Sequence, residues 1–284
     1  MDGSRALFRV RNYDLASTLN SGQAFRWIPY GDGWEGVVGN HWVWLRQTST
    51  GIEARTASPV RCWDWLADYL QIDVDFRSIL RSFPKDPPMQ AAVRACRGLR
   101  LLRQNTWECL ASFICSSSKQ IVQIRQIIAM LCERYGQSVD VPSGHPPAFA
   151  FPKPATLARC TENELRECRM GFRAPHLRDA AIEVATGRLR LETLAELPLD
   201  SARQALVRLR GVGLKIADCV LLFSGIHPQA FPIDTWIRRA LSKLYFPDRR
   251  VTDKQLREFA ASHFGPWAGY AQQYLFHYTR VISD

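Results

Sequence analysis

The chain has 284 residues, 46% of them hydrophobic, enough to bury a core in one or two domains. Its formal charge is +10, which argues against an acidic, nucleic-acid-repelling surface and favours a polyanionic partner, with a merely basic surface as the alternative. No run of 18 or more apolar residues occurs, and Met1 to Val10 carries Asp2, Arg5 and Arg9 where a signal peptide would need an apolar segment. No membrane association is expected; the expected location is intracellular, the cytoplasm or nucleoid of a prokaryote or the nucleus of a eukaryote.

In chain order, four short runs read as antiparallel strands: Ala24 to Tyr30, Trp34 to Val38, Trp42 to Gln47 and Gly51 to Arg55. Gly39-Asn40 is a two-residue hairpin signal between the second and third of them. Helical spacing begins at Cys62 to Leu70, and the Pro-rich stretch from Ser82 to Pro88 marks a boundary. The expected organisation is α+β: an N-terminal antiparallel sheet domain with short helices over 1–86, then an all-helical region over 87–284.

Within that region Asn105 to Ser117 and Gln120 to Tyr135 carry apolar residues at three-and-four spacing. Val141 to Pro154, rich in Pro, Gly and aromatics, is the longest predicted loop. Glu162 to Cys168, Pro175 to Thr186 and Ser201 to Leu209 again read as helices, as does most of the remainder. Eight cysteines stand singly with no CxxC pair, several inside apolar helical patterns, so they are expected to be reduced and buried. A zinc site or iron-sulfur cluster would need closer ligands, and no cofactor or metal is expected.

The most informative segment is a hairpin over 200–225. A helix opened by Asp200 as its cap runs to Leu209, Arg210-Gly211-Val212-Gly213 turns the chain, and a second helix follows from Leu214 to Ser224. Gly211, Val212 and Gly213 then present backbone N–H groups and a positive helix end to a phosphate. On the second helix Lys215, Asp218, Cys219 and Leu222 share a face by spacing. An ordinary helix-helix turn with a solvated lysine is the competing reading. Nineteen residues on, Asp234 stands between Pro232 and a new helical run, where a cap would stand. A carboxylate held near a partly desolvated amine also supplies what amine catalysis on a sugar needs: a nucleophile and an anion for the positive charge that develops at the anomeric carbon.

The pattern LxGVGxKxADCxLLF over 209–223, followed by Pro232-Ile233-Asp234-Thr235-Trp236, resembles the helix-hairpin-helix DNA glycosylases, and specifically their 8-oxoguanine DNA glycosylase/AP lyase branch. SGQAFRW at 21–27, ECLASFICSS at 108–117, GFRA at 171–174 and GPWAGYAQQYLF at 265–276 are similar to further blocks of that branch, in its order. The resemblance implies base excision from duplex DNA containing an oxidised guanine, by a monomer. Lys215 would be the nucleophile that attacks C1′ and forms a Schiff base, and Asp234 would stabilise the oxocarbenium-like transition state. Gly22 would offer its carbonyl to the N7 hydrogen that 8-oxoguanine has and guanine lacks. Phe276 and Cys219 would sandwich the flipped base and Gln272 would hold its pairing edge.

Three departures from the mammalian pattern bear on the opposite strand. Ser118 stands where an asparagine fills the gap left by the flipped base, with Lys119 and Gln120 after it. Gln123 replaces one of two arginines that read the opposite cytosine, while Arg173 keeps the other. Trp236 replaces a histidine near the acid. Relaxed opposite-base choice is therefore expected. The alternatives are a non-catalytic helix-hairpin-helix module, which would need none of Asp234, Phe276 and Gly22, and a glycosylase of the same superfamily for a different damaged base.

Overall fold

The structure is a computed structural model and describes residues 3–117 and 119–283. Five strands form an antiparallel sheet in the order β1-β5-β4-β3-β2: β1 (Arg5–Arg9), β2 (Ile28–Tyr30), β3 (Gly33–Val38), β4 (His41–Gln47) and β5 (Gly51–Thr56). The β3–β4 link is the expected Gly39-Asn40 turn. Strand β1 is an addition to the sequence reading: its side chains alternate between exposed and half-buried at the sheet edge, but the run Ala6-Leu7-Phe8 hides that alternation in the sequence.

The strand expected over 24–30 shortens to β2, because the preceding backbone is held by side chains instead of a ladder. Gln23 is fully buried; its Oε1 accepts from Leu102 N at 2.8 Å and its Nε2 donates to Arg100 O at 2.8 Å and Thr18 O at 2.9 Å. Gln104 Nε2 in turn donates to Gln23 O at 2.8 Å. A short helix missed in the sequence, α1 (Leu15–Asn20), precedes this segment and is capped by Asp14, which accepts from Ser17 N at 2.9 Å.

One face of the sheet places Val43, Leu45, Ile52 and Ala54 against Leu15, Leu19 and the Leu66 and Leu70 of α2 (Asp64–Leu70). The other face exposes Trp42 and Trp44 to a cover made by the segment predicted as loop. That segment supplies β7 (Ala148–Phe149), paired with β6 (Ser138–Val139), and His145, whose Nε2 lies 2.6 Å from Glu35 Oε2 with its ring against Tyr30 and Trp42. Burying two tryptophans orders a stretch whose composition reads as irregular.

The remaining helices are α3 (Phe76–Ser82), α4 (Pro87–Ala95), α5 (Thr106–Cys115), α6 (Ile121–Tyr135), α7 (Pro154–Arg159), α8 (Glu162–Leu165) and α9 (Ala174–Ala185). They continue with α10 (Leu199–Val207), α11 (Leu214–Phe223), α12 (Thr235–Tyr245), α13 (Asp253–His263) and α14 (Ala268–Ser283). Helix α5 is buried without interruption from Cys109 to Cys115, as an element apolar on all sides must be, and packs against α6, α9 and α11. Arg26 ties the sheet segment to it, with Nη1 3.5 Å from Glu108 Oε1; burial pushes the Glu108 carboxyl above the usual carboxylate range and Arg26 opposes that rise.

The helix predicted over 162–168 ends as α8 at Leu165, after which Arg169 adopts φ 61° and the chain turns into α9. All eight cysteines are free and seven are buried; Cys62 alone is exposed. Among the described residues no helix is long and apolar enough to cross a membrane.

Candidate active site

The hairpin is formed by α10 and α11. Its first helix is capped differently from the sequence reading: Pro198 occupies the cap position without a side-chain bond, and Asp200 lies inside the first turn. Asp200 opens an ion-pair chain instead. Asp200 Oδ1 takes Arg203 Nη1 at 2.7 Å, and Arg203 Nε reaches Asp218 Oδ1 at 2.6 Å, joining the two helices. Asp218 is 1% exposed, and burial pushes its carboxyl up to about 6 against the pull of Arg203. The face assigned to Lys215, Asp218, Cys219 and Leu222 therefore divides, Asp218 turning to α10 while Lys215 and Cys219 line a cavity.

The turn carries two glycines with different requirements. Gly211 has φ +80°, and a Cβ there would lie 2.3 Å from the His176 ring. Gly213 is the N-cap of α11 in extended backbone, exposed, with nothing within 4 Å of an added Cβ. Val212 between them is buried and anchors the turn in the core. Gly213→Val is thus expected to lower the melting temperature by no more than about 4 °C, the cost of a poorer cap, while weakening damaged and undamaged duplex binding alike, because the added side chain meets only what approaches from outside. Gly211→Val should lower both stability and binding. Thermal denaturation beside fluorescence anisotropy separates the two, and unchanged DNA affinity in Gly213→Val would mean that the turn does not contact the backbone.

The cavity, about 510 Å³, opens beside the hairpin and is lined from six directions, one of them the 119–124 segment at the start of α6, with Lys119, Ile121 and Ile124. Helix α11 gives Lys215, Cys219 and Phe223; α5 gives Phe113 and, just past its end, Ser116; the 21–25 segment gives Gly22 and Phe25. Pro232, Asp234 and Trp236 enter at the start of α12, and Gln272, Gln273, Phe276 and Arg280 from α14. Phe113 stacks on Phe223 at 5.4 Å and meets Phe25 edge-on at 5.5 Å, an apolar wall that excludes water from one side.

Lys215, in the first turn of α11, lies with Nζ 3.4 Å from Ser116 Oγ and 5.5 Å from the Phe113 ring centroid. A cation at this positive helix end is unfavourable by about 0.3–1 kcal/mol, so its position is not one that stability selects. Asp234 caps α12, its Oδ1 accepting from Ile237 N at 2.8 Å; no hydrogen bond among the described residues engages Oδ2. Cys219 is a neutral thiol, pushed up to about 12 by burial although Lys215 opposes the rise.

Gln272 is 4% exposed; its Nε2 donates to Pro232 O at 3.1 Å, and its Oε1 is buried without a hydrogen-bond partner. A buried carbonyl left open in a cavity wall suits a donor on an incoming ligand. One turn on, Phe276 borders Gly22, whose φ is +80° and whose added Cβ would fall 3.6 Å from Phe276 Cε1 and 3.2 Å from Ile121 Cδ1. Gln273, which sequence reading passed over, fixes this wall by donating Nε2 to Ser21 O at 3.0 Å. Two adjacent glutamines on a largely apolar helix are themselves a signal, since a plain core would reject both. Phe113 and Ser116 were also passed over, although both lie in a block that carries the resemblance.

The expected opposite-strand residues are arranged otherwise. Arg173 is buried, with Nε donating to Ser117 O at 2.7 Å, Nη2 to the same oxygen and Nη1 to Met170 O at 3.2 Å, so its donors face inward. Its neighbour Phe172 is 56% exposed, its ring 4.2 Å from the Arg173 guanidinium. Gln123 is exposed and outside the cavity, its Oε1 accepting from Gln120 N at 3.2 Å at the start of α6. Lys119 lines the cavity mouth. Ser118 lies outside the described residues. Among the described residues no group of three or more His, Cys, Asp or Glu side chains is placed to hold a metal ion.

Matches to known proteins cover nearly the whole chain. Residues 6–110 match the family model of the 8-oxoguanine DNA glycosylase N-terminal domain, and residues 111–266 match that of the HhH-GPD superfamily of base excision DNA repair proteins. The N-glycosylase/DNA lyase OGG1 of Arabidopsis thaliana is 31% identical over 92% of this chain and 76% of its own. Among solved structures, MBOgg1 in complex with a low-affinity DNA ligand is 34% identical with a TM-score of 0.94, covering 100% of this chain and 98% of that one. The 8-oxoguanine glycosylase/lyase of Clostridium acetobutylicum, bound to duplex DNA with cytosine opposite 8-oxoguanine, is 31% identical with a TM-score of 0.90 over 97% of this chain and 94% of that one. With both family models matched in order and a sheet-plus-hairpin architecture common to these structures, the chain belongs to the 8-oxoguanine DNA glycosylase family of helix-hairpin-helix base excision repair proteins.

Proposed function

We propose that this protein removes 8-oxoguanine from duplex DNA and then cleaves the strand, acting as a monomer. The observation that carries the reading is one cavity in which an amine, a carboxylate, an open buried carbonyl and an aromatic ring converge: Lys215, Asp234, Gln272 and Phe276. Lys215 Nζ, in its unprotonated form, attacks C1′ as the N-glycosidic bond breaks and the base departs with the bond's electron pair, to be protonated. Asp234 stabilises the positive charge that builds on C1′ and O4′ in that step. Ring opening gives the protonated Schiff base at C1′. Loss of a proton from C2′ then expels the 3′ phosphate, and water releases Lys215.

Lesion choice is assigned to the Gly22 segment. Distinguishing one N7 hydrogen requires an acceptor that cannot move away, and Gln23 and Gln273 hold this segment from both sides. Gln272 Oε1 takes a donor on the pairing edge, and Phe276 and the Cys219 thiol close on the two faces of the base. The exposed Phe172 beside Arg173 fits a wedge for the vacated stack. The test is incubation with duplexes holding one 8-oxoguanine opposite each of the four bases, with borohydride trapping. No excision from any of them, with duplex binding retained, would overturn the 8-oxoguanine reading in favour of a binding module or of a glycosylase for a different damaged base.

These four duplexes also test opposite-base choice. A good base contact is worth about 1–3 kcal/mol, and ~1.4 kcal/mol is a factor of ten. Gln123 lacks the charge and fork of arginine, and Ser118 is shorter than asparagine. Losing one such contact relaxes the preference roughly 10-fold or more, so cytosine is expected to keep only a modest advantage over thymine, guanine or adenine, raised by Gln123→Arg with Ser118→Asn. A preference of several hundredfold in the unmodified protein would mean that other residues read the opposite strand.

A further inference from the structure

A second concavity, about 690 Å³, begins at the residues that lead into the hairpin turn and is separate from the base cavity. Its apolar floor includes Leu194 and Leu209, 1% and 7% exposed. Arg188, Arg190, Arg208 and Arg210 stand around it with only Asp179 and Glu183 as carboxylates, so four positive and two negative charges leave an excess of two. Glu183 is engaged by Arg188 at 2.8 Å, and Asp179 lies 3.8 Å from Arg210. Arg190 and Arg208 are exposed, and neither forms an ion pair among the described residues.

A concave wall with an excess of positive charge over a low-dielectric floor concentrates its field, and the uncompensated pair favours an anion from outside. Arg210 is bonded directly to Gly211, so the groove continues the hairpin turn along the chain without a gap. We infer that this arginine groove is a second phosphate-binding surface that grips the DNA backbone beyond the hairpin, with Arg190 and Arg208 as its principal contacts. The inference rests on the DNA-repair reading for its partner, but its chemistry involves neither the lesion nor Lys215.

The test uses undamaged duplex and the full chain. For Arg190→Gln/Arg208→Gln, the slope of log affinity against log salt should become shallower by about 1.8, two phosphate contacts at about 0.9 each. Because both side chains are exposed, the melting temperature should stay near that of the unmodified protein. A double variant with the same charge change outside the groove, Arg5→Gln/Arg9→Gln on β1, should keep the original slope. An unaltered slope in the groove variant would overturn the inference, and so would an equal change in both variants, which would reflect net charge alone. If inorganic phosphate binds the unmodified protein and not the groove variant while the DNA slope is unaltered, the groove takes a free anion, and the DNA assignment falls. Absence of borohydride trapping by the unmodified protein on 8-oxoguanine duplex would count against the proposed function, while the slope comparison on undamaged DNA would still decide the groove.

Discussion

Replacing Lys215 by Gln is expected to give a folded protein that still binds lesion-bearing duplex and forms no covalent adduct with it under borohydride. Glutamine keeps most of the side chain's length and can still hydrogen-bond Ser116 Oγ, which Lys215 Nζ approaches at 3.4 Å, but it has no amine to form the Schiff base. Loss of an activated nucleophile removes catalysis as a whole, and the excision rate should fall at least roughly 10³-fold, with strand cleavage lost along with it. Stability should hold or rise slightly, since the substitution removes a cation from the positive end of α11. Single-turnover gels with and without borohydride, beside a thermal melt, read all of these together. An undiminished adduct in the variant would move the nucleophile to another amine, for which the cavity offers Lys119.

The candidate residues legible in the sequence are those whose position is set by local spacing. Lys215 and Cys219 are one turn apart on α11, Gln272 and Phe276 one turn apart on α14, and Asp234 precedes a helix; all five line the cavity. The turn glycines and the Gly39-Asn40 hairpin were legible for the same reason. What escaped depends on partners distant in sequence. Gln273 gains its role from Ser21, 252 residues away, and Gln23 from Arg100 and Leu102. Arg173 is adjacent to the expected surface but spends its donors on the carbonyl of Ser117, which no spacing rule foretells. Asp200 has the residue type of a cap and instead holds, from the surface, the Arg203 that pairs with the buried Asp218. The loop over 141–154 is ordered by tryptophans on β4, so its composition gave no sign of it.

Asp234 combines two roles that one substitution separates, a helix cap and the proposed stabilising anion. The same carboxylate caps α12 through Oδ1 and faces the cavity that holds Lys215. Asn is as good a cap as Asp, because its side-chain oxygen accepts the same N–H bond, so Asp234→Asn should cost at most a few tenths of a kcal/mol of stability through the lost charge at the helix start. Transition-state stabilisation is different. A neutral amide cannot offset a developing positive charge at C1′, and removing one such preorganised group typically costs roughly 10²- to 10³-fold in rate. The expected result is therefore a melting temperature within about 2 °C of the unmodified protein, lesion affinity close to unchanged, and a single-turnover excision rate lower by roughly two to three orders of magnitude. Residual trapping should persist, because Lys215 is still present, and should build up slowly in step with excision. Asp234→Ala would lose the cap as well, adding about 1 kcal/mol of destabilisation to the same catalytic defect. A collapsed melting temperature in Asp234→Asn with activity per folded molecule preserved would make Asp234 a structural cap alone, and the anion that supports the cation at C1′ would then have to be sought elsewhere.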